Sequence, residues 1–163
     1  MAQQEYILIV DDEAIIRHSL HDWLCDEGYR VSEAENGMTA IRMIAEEPPD
    51  VAVVDIKMPG MDGVTLLKKI KELHPELPVI IMTAFATVEN AVQAMKEGAY
   101  DFITKPFPPE KLSNVIKKVL EYQNLQREYH RLKKERKQIL HIAASILVSF
   151  IVLTILILFI FNR

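Results

Sequence analysis

One cysteine in 163 residues, Cys25, leaves the chain without an internal disulfide, which fits a reducing cytoplasm and assigns Cys25 to helix packing. Glycine and proline are missing from Lys111 onward, so nothing interrupts a helix that begins near Pro109. Formally charged side chains are missing from Ile139 to Phe161, 23 residues reading ILHIAASILVSFIVLTILILFIF. That is the length a helix needs to cross the hydrocarbon core of a bilayer at about 1.5 Å per residue. Met1–Glu5 has neither the basic region nor the apolar core of a signal peptide, so the expected insertion is that of a tail anchor. Internal repeats and low-complexity linkers are also absent.

Charge is distributed unevenly. Residues 1–120 carry 12 Lys/Arg against 20 Asp/Glu, whereas residues 121–163 carry 7 against 3. An acidic domain is a poor match for nucleic-acid phosphates, so no nucleic-acid partner is expected, and its carboxylates suit a metal ion better. The basic side chains Arg127, Arg131, Lys133, Lys134, Arg136 and Lys137 lie next to the apolar run, where anionic lipid headgroups are their expected partners. Basic flanks stay on the cytoplasmic side. The expected location is therefore the cell inner membrane, single-pass, with the N-terminal domain cytoplasmic and only Asn162 and Arg163 crossing.

Short apolar runs alternate with amphipathic stretches five times. Tyr6–Val10, Arg30–Ala34, Val51–Asp55, Val79–Thr83 and Tyr100–Thr104 read as strands, bounded by turn residues. Helical patterns lie between them at Glu13–Glu27, Gly37–Glu46, Gly63–Leu73 and Thr87–Glu97, with a last one from Pro109 onward. YILIV is apolar on both faces, as in a parallel sheet covered on each side. Five such units predict an α/β fold with a doubly wound, five-stranded parallel sheet. A heptad-like series then runs Val115, Lys118, Tyr122, Leu125, Tyr129, Leu132, Arg136, Ile139, apolar at six of eight positions. The expected organisation is a domain at 1–121, a basic helical stalk of coiled-coil periodicity at 122–138 and a transmembrane helix at 139–161. The stalk would measure about 25 Å.

In a doubly wound sheet the carboxyl ends of the strands form the functional rim. Those ends carry Asp11 and Asp12, Asp55, Thr83 and Lys105. Three carboxylates held together repel one another unless a cation intervenes, and oxygen ligands favour a hard ion such as Mg²⁺. A lysine adds positive charge for an arriving phosphoryl group, and a threonine hydroxyl can donate to its oxygens. These parts suit phosphoryl transfer onto a carboxylate. Met58, Met61 and Met82 are expected in packing, and His18, His21, His74, His130 and His141 show no metal-binding spacing.

ILIVDDE, VVDIKMPGMDG, IIMTAFA and YDFITKPF, in that order across Glu5–Leu120, resemble the receiver domain of two-component response regulators of the nitrogen-regulatory activator type. The resemblance implies the flavodoxin-like receiver fold and an Asp55 that accepts a phosphoryl group from a sensor histidine kinase or phosphotransfer protein. It implies Mg²⁺ held by Asp11, Asp12, Asp55 and the backbone carbonyl of Lys57. Thr83 and Lys105 would contact the phosphoryl group, Thr83 and Phe102 would form the switch, and the bond before Pro106 would be cis. Such a chain is a phosphoryl acceptor that assists its own phosphorylation and dephosphorylation, not an enzyme with a separate substrate. Regulators of this type usually also carry an ATPase module and a DNA-binding helix-turn-helix; no P-loop motif occurs in these 163 residues, so the switch without that output is what is expected of them.

Three functions fit. One is a membrane-anchored receiver that switches protein–protein contacts when phosphorylated. Another is a membrane-bound phosphoryl sink or relay member. The third is a structural adaptor, homodimeric through stalk and span, where Ser145 and Ser149 allow close helix approach.

Overall fold

A computed structural model describes residues 4–84 and 87–161, with side chains up to position 146. It divides into two units, Met1–Glu121 and Tyr122–Arg163. The first unit runs β1 (Tyr6–Val10), α1 (Ala14–Asp26), β2 (Arg30–Ala34), α2 (Gly37–Glu46), β3 (Val51–Asp55), α3 (Gly63–Leu73), β4 (Val79–Thr83), α4 (Val88–Lys96) and β5 (Asp101–Thr104). A further helix, α5, is assigned to Pro109–Phe161, and its first residues belong to this unit.

All strand pairs are parallel, in the order β2-β1-β3-β4-β5. Side chains alternate across a strand with a period of two, so each strand feeds two cores. Ile7 and Ile9 of β1, Val51 and Val53 of β3, and Ile80 and Met82 of β4 pack with Leu20 and Leu24 of α1 and Leu112 and Ile116 of α5. Their neighbours Leu8, Val10, Ala52, Val54, Val79 and Ile81 pack with α2, α3 and α4 through Ile44, Leu66, Leu67 and Ala94. Helices on both faces are why β1, β3 and β4 are buried at every position. β2 lies at one edge and is buried only at Ala34, which explains its polar sequence RVSEA.

Helix ends differ from the sequence expectation by one residue where a cap intervenes. Thr87 has extended backbone and its side chain accepts from the Asn90 N–H, so it caps α4 from outside the helix. Glu13 likewise stands as the extended residue before α1. Pro109 begins α5, a position where its missing N–H costs nothing.

The chain reverses at a topological switch point between β1 and β3, where the connections leave in opposite directions and open a cleft at the carboxyl ends. The loop after β3 is shaped by its own residues. Gly60 has φ +80, the left-handed region that glycine tolerates. The Asp62 carboxylate accepts from the N–H groups of Val64 and Thr65 and from the Thr65 hydroxyl, capping α3. Gly63 donates its N–H to Ile56 O at 2.8 Å, and a Cβ there would run into the backbone carbonyl of Asp55. Only glycine lets α3 begin this close to the end of β3.

In the second unit, the backbone is helical from Tyr122 to Phe161. Tyr122, Leu125, Tyr129, Leu132 and Ile139 are exposed. Arg131 Nε donates to Glu135 at 3.1 Å, an i, i+4 pair. Among the described residues no helix is long and apolar enough to cross a membrane. Most of the expected span Ile139–Phe161, including Ser149, falls outside the residues whose side chains are described, as do Asn162 and Arg163.

Candidate functional site: the acidic cleft between β1 and β3

Asp11 directly follows β1 and Asp55 ends β3, so the parallel register of these adjacent strands brings two carboxylates to the cleft. Both are buried, Asp11 wholly. Lys105, which follows β5, reaches both: its Nζ lies 2.7 Å from Asp11 Oδ2 and 2.8 Å from Asp55 Oδ1. The remaining carboxylate oxygens are also held. Asp11 Oδ1 accepts from the Glu13 N–H at 2.8 Å, and Asp55 Oδ2 accepts from the Lys57 N–H at 2.7 Å. Lys105 is positioned in turn by its own N–H, which donates to Thr83 O at 2.8 Å. The Lys105–Pro106 peptide bond is cis.

Burial works against the Lys105 ammonium, but its hydrogen bonds to Asp11 and Asp55 outweigh burial and raise its pKa above the usual lysine value. Lys105 is therefore a fixed positive charge. The Asp55 carboxyl is pushed above its ordinary range, first by burial and further by the Asp11 carboxylate, against the pull of Lys105 and the Lys57 N–H. Two carboxylates sharing one ammonium leave net negative charge in the cleft.

The remaining expected site residues fall around this centre. Asp12 is exposed and lines a neighbouring depression with Glu35, Met38 and Met61. Thr83 is fully buried at the end of β4 and pairs in register with Thr104. Phe102 is half-buried against the core beneath α2, α3 and α4. Among the described residues no three carboxylate, histidine or cysteine side chains converge as a ready-made metal cluster. Mg²⁺ asks for less than that, since it binds through one or two carboxylates and keeps several waters. The buried, oxygen-only pair Asp11 and Asp55, with net negative charge, fits such an ion.

Arg17 and Glu33 also belong to the site, although no sequence motif marks them. Arg17 Nη1 donates to Asp11 O at 2.7 Å while its Nε donates to Glu33 Oε2 at 2.9 Å, tying α1 and β2 to the residue that opens the cleft. His18 Nδ1 lies 2.7 Å from the same Glu33 oxygen. No local pattern links positions sixteen apart. Asp62 did carry a signal, an acidic residue directly before an amphipathic helical run.

The raised pKa of Asp55 has a stability consequence. Between its unfolded and folded values the native state holds more protons than the unfolded chain, so stability falls as pH rises through that window. Without divalent metal, Asp55→Asn should melt a few degrees above wild type near pH 8, the shift that roughly 1 kcal/mol produces in a domain of this size. The gap should close as pH falls toward the ordinary carboxylate value. Thermal melts across pH check this, and an Asn variant less stable than wild type at pH 8 would contradict it.

The family model for the response regulator receiver domain matches residues 7–117. The chain is 42% identical over 131 residues to a putative NtrX-like response regulator of Rickettsia bellii, covering 79% of this chain and 27% of that protein. It is 39% identical over 126 residues to the DNA-binding transcriptional regulator NtrC of Escherichia coli K12, covering 77% of this chain and 27% of that one. It thus spans about a quarter of the length of these relatives. The solved receiver domain protein of Clostridium thermocellum superposes with a TM-score of 0.72 at 33% identity, over 75% of this chain and 98% of that one. With Asp11, Asp55 and Lys105 joined at the switch point of the sheet, the chain belongs to the response regulator receiver family of two-component systems, in its NtrC- and NtrX-like branch.

Proposed function

We propose that this chain is a membrane-anchored receiver that accepts a phosphoryl group on Asp55 and changes a protein–protein contact in response. The observation that carries the chemistry is the setting of Asp55, at the end of β3 with one oxygen on Lys105 and the other on the Lys57 N–H. A sensor histidine kinase or phosphotransfer protein is the donor. A carboxylate oxygen of Asp55 forms the new bond to phosphorus as the bond from phosphorus to the donor's imidazole nitrogen breaks. Asp11, Asp12, Asp55 and the backbone carbonyl of Lys57 would hold Mg²⁺, which would supply charge neutralisation for the phosphoryl oxygens.

The chain's own residues do the rest. Lys105 presents a fixed positive charge to the incoming group, and the Lys57 N–H orients the acceptor. Thr83, on the strand beside β3, is the hydroxyl that turns toward a phosphoryl group, and Phe102 on β5 follows it toward burial. The chain acts as an acceptor that assists its own phosphorylation and dephosphorylation.

Anchoring rests on the uncharged run Ile139–Phe161 and the basic residues before it, which put the receiver in the cytoplasm at the inner membrane. Association into a homodimer along the stalk gives the switch a second surface to act on.

Radiolabelled acetyl phosphate tests the chemistry: wild type should incorporate label only with Mg²⁺, and Asp55→Asn should lose at least about tenfold, the effect of removing a nucleophile. Label at wild-type level in the Asn variant would sink the assignment. Cell fractionation tests the anchor. The intact chain should sediment with membranes and resist carbonate washing, whereas deletion of residues 139–163 should release a receiver that still takes label. A truncated chain that stays with membranes would contradict it.

A further inference from the structure

Cys25, expected in helix packing, instead stands exposed in the last turn of α1, and it is the one cysteine of the chain. His21 lies one turn earlier on the same helix face and turns Nε2 toward the thiol, with Sγ and Nε2 3.8 Å apart. The opposite ring nitrogen, Nδ1, lies 3.0 Å from Asp22 Oδ1. A carboxylate only accepts, so Nδ1 carries the proton and the lone pair of the neutral ring sits on Nε2, facing the sulfur. Cys25 is roughly 16 Å of helix from Ala14, the residue that opens α1 beside the acidic cleft.

A thiolate sulfur at about 2.3 Å and an imidazole nitrogen at about 2.0 Å on one tetrahedral metal ion stand about 3.6 Å apart. The separation of Cys25 Sγ and His21 Nε2 matches that bite, so an ion can enter between them with little side-chain movement. A carboxylate behind the imidazole, as Asp22 is here, fixes the tautomer of a metal-bound histidine and raises its basicity. Sulfur and imidazole together favour zinc or softer ions over Mg²⁺, the reverse of the oxygen-only cleft. Among the described residues no three His, Cys, Asp or Glu side chains gather into a metal site, so water completes the coordination and the ion stays exchangeable. We infer that His21 and Cys25 form a chelating site for a thiophilic divalent cation of the zinc class, with Asp22 as the positioning carboxylate behind His21. Binding forms one metal–sulfur and one metal–nitrogen bond as the thiol proton passes to solvent. The inference rests on neither the phosphoryl chemistry nor the membrane.

Cobalt titration of the intact chain in mild detergent, with a phosphine reductant and saturating Mg²⁺, tests it. Mg²⁺ competes for oxygen ligands, and because Cys25 is the only thiol, a thiolate-to-cobalt charge-transfer band reports this site alone. The band should saturate at one ion per chain and vanish when zinc is added. Zinc should also slow alkylation of Cys25 by iodoacetamide. Cys25→Ser should abolish the band, Asp22→Asn should weaken binding about tenfold, and His21→Ala should weaken it further. Acetyl phosphate labelling of the three variants should stay at the wild-type level, which shows that each still folds and keeps this inference separate from the proposed function. Absence of the band, unchanged affinity in His21→Ala, or one ion shared between two chains would overturn the proposal.

Discussion

Two carboxylates lie at the ends of neighbouring strands in a cleft that excludes most water, and the ammonium of Lys105 lies within 2.8 Å of both. Burying one unpaired carboxylate is expensive, and a second beside it adds repulsion. Lys105 offsets both costs together, and its N–H to Thr83 O ties the end of β5 to the end of β4. With two carboxylates on one ammonium the cleft keeps net negative charge, and burial first, with the Asp11 carboxylate adding to it, raises the pKa of Asp55. A site that is stable yet under-neutralised is poised to take up a cation and an anionic group together.

The fold makes that arrangement nearly unavoidable once the strand order is set. Placing β1 beside β3 puts Asp11 and Asp55 on adjacent ends, and the parallel β4 and β5 carry Thr83 and the segment before Lys105 to the same rim. Gly63 lets α3 start against the Asp55 carbonyl, and Asp62 caps that helix, so the loop carrying Lys57 is anchored at its far end. Arg17 and Glu33 brace the other side through Asp11 O. The chemistry thus rests on backbone geometry as much as on the reacting side chains.

Much of this was legible in the residues. Strands two-sidedly apolar in sequence are the central ones, and the polar RVSEA is the edge strand β2. Asp11, Asp55, Thr83 and Lys105 could be placed at strand ends because turn residues mark where each strand stops. The Arg17–Glu33 brace could not, because it joins an α1 side chain to a β2 side chain that meet only once the chain is folded. The need for glycine at 63 was hidden for a related reason: it arises from the carbonyl of Asp55, which folds against it from the preceding strand. Heptad spacing in the stalk was visible, and its apolar positions Tyr122, Leu125, Tyr129 and Leu132 stand exposed.

The central claim is that the cleft singles out Asp55 among the carboxylates gathered there. Borohydride reduction of the chain after treatment with acetyl phosphate and Mg²⁺, followed by peptide mass spectrometry, reads this directly, since reduction converts an aspartyl phosphate to homoserine. Homoserine should appear at position 55 alone. Homoserine at position 11, 12 or 62, with Asp55 intact, would contradict it.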